Sequence, residues 1–219
     1  MTRIYGMIFS GLMSISSLAQ QDGSETSHYL FPEFARGVIL MKSGQRNDAL
    51  LNYNSLTEEM VFDRNGEKRA IGNGELTLVD TVFIKDRKFV VLNGTFVELI
   101  VHSTWDLLVE HRCKVLDTGK PAGYGGSSQT SAATSISSLY SQGRVIYNLK
   151  LPDNYTITPY RIYLLKKNGE INQFANMREL KKYYKDQKEL FKTYLKTNSV
   201  DYEDQDSMIP FIEYLESNS

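Results

Sequence analysis

Apolar and polar residues alternate along the chain from Tyr29 to Leu116, in short runs separated by residues that favour turns. The alternation is clearest over 107–116, where the odd-numbered residues form one face of a strand and the even-numbered residues form the other. The odd-numbered face, from Leu107 to Val115, is mainly apolar, whereas the opposite face carries three charged residues. We therefore expect the odd-numbered face to be buried.

Eight runs of this kind predict an antiparallel meander. The predicted strands are 37–42, 48–54, 58–63, 68–71, 76–84, 88–92, 95–101 and 107–116. Asn65-Gly66 and Asn93-Gly94 separate neighbouring runs, and Asn-Gly favours tight hairpins because both residues tolerate positive φ. So many strands in about 90 residues favour a curled sheet, a roll or a sandwich, and the pattern leaves these three alternatives open.

The last third of the chain changes from strand to helix periodicity. Further strands are predicted at 144–151, 160–165 and 170–174, and a turn at Lys167-Asn168-Gly169 is predicted to join the last two as a hairpin. Asn176 is predicted to cap a helix over 177–184, and Ser207 to cap a short final helix whose buried side contains Met208, Ile212 and Leu215. The fold class is therefore α+β, mainly an antiparallel β meander with a small helical portion at the C-terminus.

The N-terminus has the pattern of a secretory signal peptide. Arg3 supplies a positive charge, an apolar run follows, and Ser17-Leu-Ala19 places small residues where signal peptidase cleaves. The run is shorter than the roughly 20 apolar residues of a membrane-spanning helix. We expect an exported protein, periplasmic or secreted, with no transmembrane span in the mature chain. The expected organisation is a signal peptide at 1–19, a β-rich meander at 20–118, a Gly/Ser/Thr-rich loop at 119–143, and strands followed by helices at 144–219, packed on the same core.

Charge and cysteine content narrow the function classes. The chain has 25 basic and 26 acidic residues and a formal net charge of -1, which argues against nucleic acid as a partner. Cys113 is the single cysteine, so no intrachain disulfide can form. His111 lies two residues away, but a closed zinc site needs four ligands, and only His28 and His102 remain as further histidines. We therefore expect no metal site and no cofactor. Instead, we expect Cys113 to be a buried thiol beside a histidine that hydrogen-bonds to a neighbouring strand.

The loop at 119–143 is the leading candidate for a binding surface. Glycine and hydroxyl residues give it backbone freedom and hydrogen-bonding groups, and exposed aromatic rings beside such groups suit the binding of sugars or peptides. The candidate binding residues are Tyr124, Gly125, Gly126, Ser127, Ser128, Gln129, Thr130, Ser131 and Trp105. The alternative for Trp105 is a place in the core. The composition of the loop favours a non-catalytic binding protein or a protein associated with the cell envelope. Its partner would be a glycan, a peptide or an envelope protein.

Two other function classes remain open. A serine hydrolase could use Ser127, Ser128 or Ser131 as nucleophile, His102 or His111 as base, and Asp106 or Glu110 as orienting acid. No sequence motif specifies this arrangement, so we assign no catalytic residue. A structural subunit of an envelope assembly would present an exposed strand edge to another chain. Separately, a stripe of lysines at 181, 185, 188, 192 and 196 could meet an anionic partner or form a solvated face.

Several short segments resemble a family of exported Gram-negative, Bacteroidetes-type proteins that has no assigned function. The segments are Tyr29-Leu-Phe-Pro-Glu-Phe34, Ala49-Leu-Leu-Asn-Tyr-Asn54, Glu58-Glu-Met60, Val79-Asp-Thr-Val82, Lys120-Pro-Ala-Gly-Tyr-Gly-Gly126 and the turn Asn198 to Asp201. The resemblance covers nearly all of the mature chain. It implies a location in the periplasm or the cell envelope and transfers no catalytic residue.

Overall fold

Ten strands form one antiparallel sheet in the computed structural model, which describes residues 28–117 and 155–218. The strands are β1 (Ala35–Met41), β2 (Arg46–Asn54), β3 (Glu59–Arg64), β4 (Glu67–Ala70), β5 (Val79–Ile84), β6 (Arg87–Leu92), β7 (Thr95–His102), β8 (Trp105–Asp117), β9 (Tyr155–Lys167) and β10 (Glu170–Phe174). The helices are α1 (Asn73–Leu76), α2 (Met177–Tyr183), α3 (Lys188–Thr197) and α4 (Gln205–Ser217), with a 3-10 turn at Lys185–Gln187. The order β10-β9-β8-β7-β6-β5-β1-β2-β3-β4 confirms the predicted α+β meander.

Asn-Gly turns set the register of three hairpins. Asn65, Asn93 and Asn168 have φ values of 56°, 52° and 54°, and the glycine after each also has positive φ. They connect β3 to β4, β6 to β7, and β9 to β10. Because few residues other than Asn and Gly adopt this conformation at low cost, the short connections predicted from sequence are confirmed.

The sheet curls around the first of two large apolar cores. We call this first core the strand core; its residues include Leu51, Tyr53, Met60, Phe89 and Phe96. The turn between β2 and β3 returns to β8, where the carbonyl oxygen of Ser55 accepts a hydrogen bond of 3.1 Å from the amide of Cys113. Of the three alternatives left open by the sequence, the structure is a curled sheet.

The C-terminal helices cover the second core, which we call the helix core. Its buried residues are Trp105, Leu107, Val109, Tyr163, Leu165, Phe174, Leu180, Tyr184, Phe191, Tyr202, Met208, Phe211, Ile212 and Leu215. The odd-numbered residues of β8 from 105 to 115 are all buried, as the alternation predicted. We call this side of the sheet the interior face and the opposite side the outer face.

Helix boundaries agree with the sequence except at α4. The Asn176 side chain accepts a hydrogen bond from the amide of Glu179 at 3.0 Å, so the predicted N-cap of α2 is confirmed. The predicted cap at Ser207 is wrong, because α4 begins at Gln205 and its N-cap is Asp204. Asp204 accepts a hydrogen bond from a first-turn amide, whereas the Ser207 hydroxyl bonds to the preceding loop. The predicted buried side of α4 is confirmed.

Two other differences concern β5 and β9. The strand predicted from residue 76 begins at Val79, because Asn73–Leu76 forms a helical turn that buries Leu76 in the strand core. β9 is longer than predicted and pairs with β8 along its whole length, from Trp105 to Asp117. The signal peptide, the loop at 119–143 and the strand predicted at 144–151 lie outside the described residues. None of the helices within 28–117 and 155–218 is long and apolar enough to cross a membrane.

Candidate functional site

A groove of about 680 Å³ crosses the outer face of the sheet. Three consecutive strands supply its floor, with Val90 from β6, Leu99 from β7 and Leu108 from β8. These side chains belong to a third apolar cluster, in which Leu108 and Val97 are buried and Val90 and Leu99 are half-buried. They share one face because the register pairs Val90 with Val97 and Leu99 with Leu108. The floor is therefore a continuous apolar surface built by strand register.

Paired charged side chains form the rim at the β7–β8 turn. His102 Nδ1 lies 2.6 Å from Asp106 Oδ1, and Lys166 Nζ lies 3.9 Å from Asp106 Oδ2. The turn places His102 and Asp106 directly opposite each other in the antiparallel register, and Lys166 pairs with Asp106 from β9. Asp106 is thus held by two partners, and the His102 ring remains largely exposed.

The opposite end of the groove lies at α1 and the start of β5. Lys42 donates a hydrogen bond of 2.8 Å to the carbonyl oxygen of Thr77, and Asp80 accepts one of 2.9 Å from the Thr81 hydroxyl. Lys88, on β6, also lines the groove. An apolar floor with a few polar groups at the rim and a volume of this size is typical of sites for small molecules.

A buried polar cluster lies on the interior face and joins β6, β7 and β8. Arg87 Nε is 2.5 Å from Glu98 Oε1, and Arg87 Nη2 also donates to Glu98 Oε2. His111 Nε2 lies 2.7 Å from Glu98 Oε2 and 2.8 Å from Arg87 Nη2. An arginine can only donate and an ionised carboxylate can only accept, so a neutral His111 with its proton on Nε2 donates to Glu98 and makes no hydrogen bond to Arg87. We call these three residues the polar triad.

The triad fixes the protonation of its members. Burial alone would raise the pKa of Glu98, but the hydrogen bonds and charges of Arg87 and His111 outweigh burial and lower this pKa to about 2. Burial lowers the pKa of His111 and outweighs the opposite effect of Glu98. Glu98 is therefore ionised and His111 neutral at pH 7. Because Nε2 of His111 already donates to Glu98, the triad is a structural network joining the two large cores.

A polar cleft of about 470 Å³ opens beside this triad. Arg87, Lys88 and Glu98 line one side, and Arg161 together with Asp204 and Asp206 lines the other, so Lys88 borders both the groove and the cleft. The charges on its walls are mixed, and Arg161 itself pairs with Glu203. Within residues 28–117 and 155–218, no group of three His, Cys, Asp or Glu side chains could hold a metal ion. The cleft thus presents neither a metal centre nor a surface of one charge.

The structure places the residues predicted from sequence in different surroundings. Tyr124 to Ser131 lie outside the described residues, and so do the distances from Ser127, Ser128 and Ser131 to any histidine. The Trp105 ring lies in the helix core with 9 % of its surface exposed, which leaves little of it for a ligand to stack on. The candidate base His102 does pair with the candidate acid Asp106.

The other candidate base and the other candidate acid of the hydrolase hypothesis, His111 and Glu110, have different partners. His111 pairs with Glu98, whereas Glu110 pairs with Arg112 at 2.8 Å. Cys113 is a buried free thiol on the same face as His111, as expected from the strand pattern. Burial raises the pKa of this thiol to about 12, so it stays protonated at neutral pH.

Sequence reasoning missed the groove, although β6 carries a signal for it. In the run Arg87–Leu92 both alternating faces are apolar, with Phe89 and Val91 on one side and Val90 and Leu92 on the other. A strand that is apolar on both faces is typical of burial on both faces. That pattern could have indicated a second apolar surface on the side away from the core.

Comparison of the chain with protein-family models, curated proteins and solved structures found no match. The interpretation of the groove therefore depends on its own geometry.

Proposed function

We propose that this protein is a non-catalytic binding protein that acts in the cell envelope after export. Its ligand site is the groove on the outer face, and the observation that carries the proposal is the apolar floor of Val90, Leu99 and Leu108 beneath a charged rim. The predicted signal peptide supports the location.

Burial of apolar surface supplies the driving force for this binding. A ligand that covers the floor removes half-buried Val90 and Leu99 from water, which contributes roughly 2.5 kcal/mol for every 100 Å² of apolar surface covered. The floor is built on strands rather than on loops, so it is already formed before the ligand arrives. A preformed site loses less conformational entropy on binding.

A fluorescence titration with the neutral apolar probe N-phenyl-1-naphthylamine tests the proposal on the full chain. Leu99→Asp places a carboxylate on the floor and should weaken probe binding at least tenfold. Leu50→Asp is the matched control, because Leu50 is a leucine on β2 that is 43 % exposed and lies outside the groove. Equal probe affinity in the wild type and in Leu99→Asp would show that the groove is not the site.

The predicted recognition loop is a separate part of the proposal. Asp117 pairs with Tyr155, so the two residues that flank the segment 118–154 lie side by side. We propose that Tyr124 and the Gly125-Gly126 pair contribute a second contact, to a glycan, a peptide or an envelope protein. Replacing them should abolish partner binding and leave probe binding in the groove unchanged. Partner binding that survives these replacements would remove the loop from the proposal.

A serine hydrolase is the second candidate, favoured by the exposed dyad of His102 and Asp106. Asp106 bound to Nδ1 leaves Nε2 of His102 as the position from which a general base acts. This candidate predicts that the wild-type protein hydrolyses p-nitrophenyl esters. His102→Asn should abolish the activity, and so should one of the three serine variants, Ser127→Ala, Ser128→Ala or Ser131→Ala. Wild-type protein without turnover, or turnover unaffected by His102→Asn, would eliminate it.

A further inference from the structure

We infer that the ligand of the groove is an amphipathic monoanion, a linear acyl chain that ends in a carboxylate, and that Lys88 binds the carboxylate. The inference rests on the proposed function, because it assigns a chemical class to the ligand of the same groove. Its basis is the contrast between Lys88 and the other charged groups of the groove.

Lys88 is the charged residue of the groove without a partner among the described residues. Lys42 donates to a carbonyl oxygen, Asp80 accepts from a hydroxyl, and Asp106 is held by His102 and Lys166. Lys88 is half-buried and has no hydrogen bond or ion pair within residues 28–117 and 155–218. Its ammonium group therefore has no carboxylate within ion-pairing distance among these residues. Such a group is available to pair with an anionic group of a ligand.

The position of Lys88 matches the position of a ligand head group. Lys88 precedes Val90 by two residues on β6, so the two side chains share the outer face. Val90 in turn borders the floor that continues to Leu99 and Leu108. A chain lying on this floor would therefore end within reach of the Lys88 ammonium group.

The charge balance favours a monoanion over a dianion or a cation. The lysines that line the groove, at positions 42, 88 and 166, outnumber its two carboxylates, Asp80 and Asp106, and this balance favours an anionic ligand over a cationic one. A phosphate group with two charges usually requires several donors, such as an arginine fork or a set of backbone amides. One lysine ammonium matches the single charge of a carboxylate.

Isothermal titration calorimetry with the full chain tests the inference. The probes are dodecanoate and dodecan-1-ol, which share the chain and differ in the charge of the head group. Dodecanoate should bind about tenfold more tightly than the alcohol, equivalent to about 1.4 kcal/mol. Lys88→Met should remove this preference and leave the alcohol affinity unchanged, whereas Lys88→Arg should retain it. Lys196→Met, an exposed lysine on α3, serves as the matched control and should change neither affinity.

The outcomes separate this inference from the proposed function. Equal affinity for acid and alcohol, or a preference that survives Lys88→Met, would overturn the assignment of Lys88 while leaving an apolar binding site intact. Absence of binding by both compounds and by N-phenyl-1-naphthylamine would refute the groove as a site altogether. Tighter binding of dodecyltrimethylammonium than of dodecanoate would also overturn the inference, because the excess of lysines in the groove predicts the opposite order.

Discussion

Glu98→Gln should destabilise the protein strongly and in a pH-dependent way. Glu98 is 3 % exposed and accepts hydrogen bonds from Arg87 and His111. The glutamine has nearly the same shape but no charge, and its amide group offers donors where the two partners also donate. Arg87 would then lie in the interior without the carboxylate that compensates its loss of hydration.

The size of the effect follows from the depressed pKa of Glu98. The pKa falls from an ordinary value of 4.5 to about 2, and each unit corresponds to about 1.4 kcal/mol. Ionised Glu98 therefore contributes about 3 kcal/mol to the free energy of unfolding at pH 7. Because its folded pKa lies below its unfolded pKa, this contribution is complete above pH 4.5 and disappears as the pH falls towards 2.

Unfolding by urea at several pH values measures this contribution, because urea is uncharged and does not screen the ion pair as a salt would. At pH 7 the free energy of unfolding of Glu98→Gln should be lower than that of the wild type by about 3 kcal/mol. The difference should shrink steadily below pH 4.5, because the wild type loses its ion pair there and the variant has none to lose. Glu67→Gln is the control, since Glu67 forms an exposed pair with Arg69 and its loss should cost less than about 1 kcal/mol.

Two results would contradict this prediction. In the first, Glu98→Gln is as stable as the wild type at pH 7, and in the second, the difference in free energy of unfolding stays constant from pH 7 to pH 3. The first result would mean that the polar triad contributes no net stability. The second would mean that the cost arises from packing rather than from the charge of Glu98.

Two further predictions concern the close approach of strands and the attachment of the helices. Gly37→Ala should lower the free energy of unfolding by more than about 2 kcal/mol, because the added methyl group would overlap the carbonyl oxygen of Phe83. Gly74→Ala is the control, because its methyl group would enter open space and should change the stability little. Equal losses of stability in chemical unfolding would contradict this close approach of β1 and β5. Glu216→Gln weakens the hydrogen bond of 2.7 Å from the Tyr184 hydroxyl and removes the ion pair of 2.7 Å with Lys167. It should lower the free energy of unfolding by about 1 to 3 kcal/mol in the same assay, and unchanged stability would show that these two contacts do not anchor α4.

The strands could be predicted because their signals are local. Alternation over 107–116 and the turns at Asn65, Asn93 and Asn168 each depend on neighbouring residues, and all were confirmed. The start of the final helix was misplaced by three residues for a physical reason. Asp204 and Ser207 can both cap a helix, and the choice between them depends on loop contacts that the sequence does not display.

The polar triad could not be predicted because its members come together only through the register of three strands. Arg87, Glu98 and His111 are separated by 11 and 13 residues, and each taken alone looks like an ordinary strand residue. The hydrolase hypothesis instead named Glu110 as one of two possible acids for either histidine. On a strand, however, adjacent residues point to opposite faces, so Glu110 could not have reached the same side as His111.

The interior face is already occupied, which limits where function can lie. Its side chains form the strand core, the helix core and the polar triad, so a ligand is left with the outer face, the polar cleft or the segment 118–154. The groove lies at the Asp106 end of β8, and that segment begins after Asp117 at the other end. The eleven residue steps from Asp106 to Asp117 span up to roughly 36 Å. Two separate sites require that Leu99→Asp leaves partner binding unchanged and that a Tyr124 replacement leaves probe binding unchanged. A variant at one site that abolishes binding at the other would show that the two proposals describe one site.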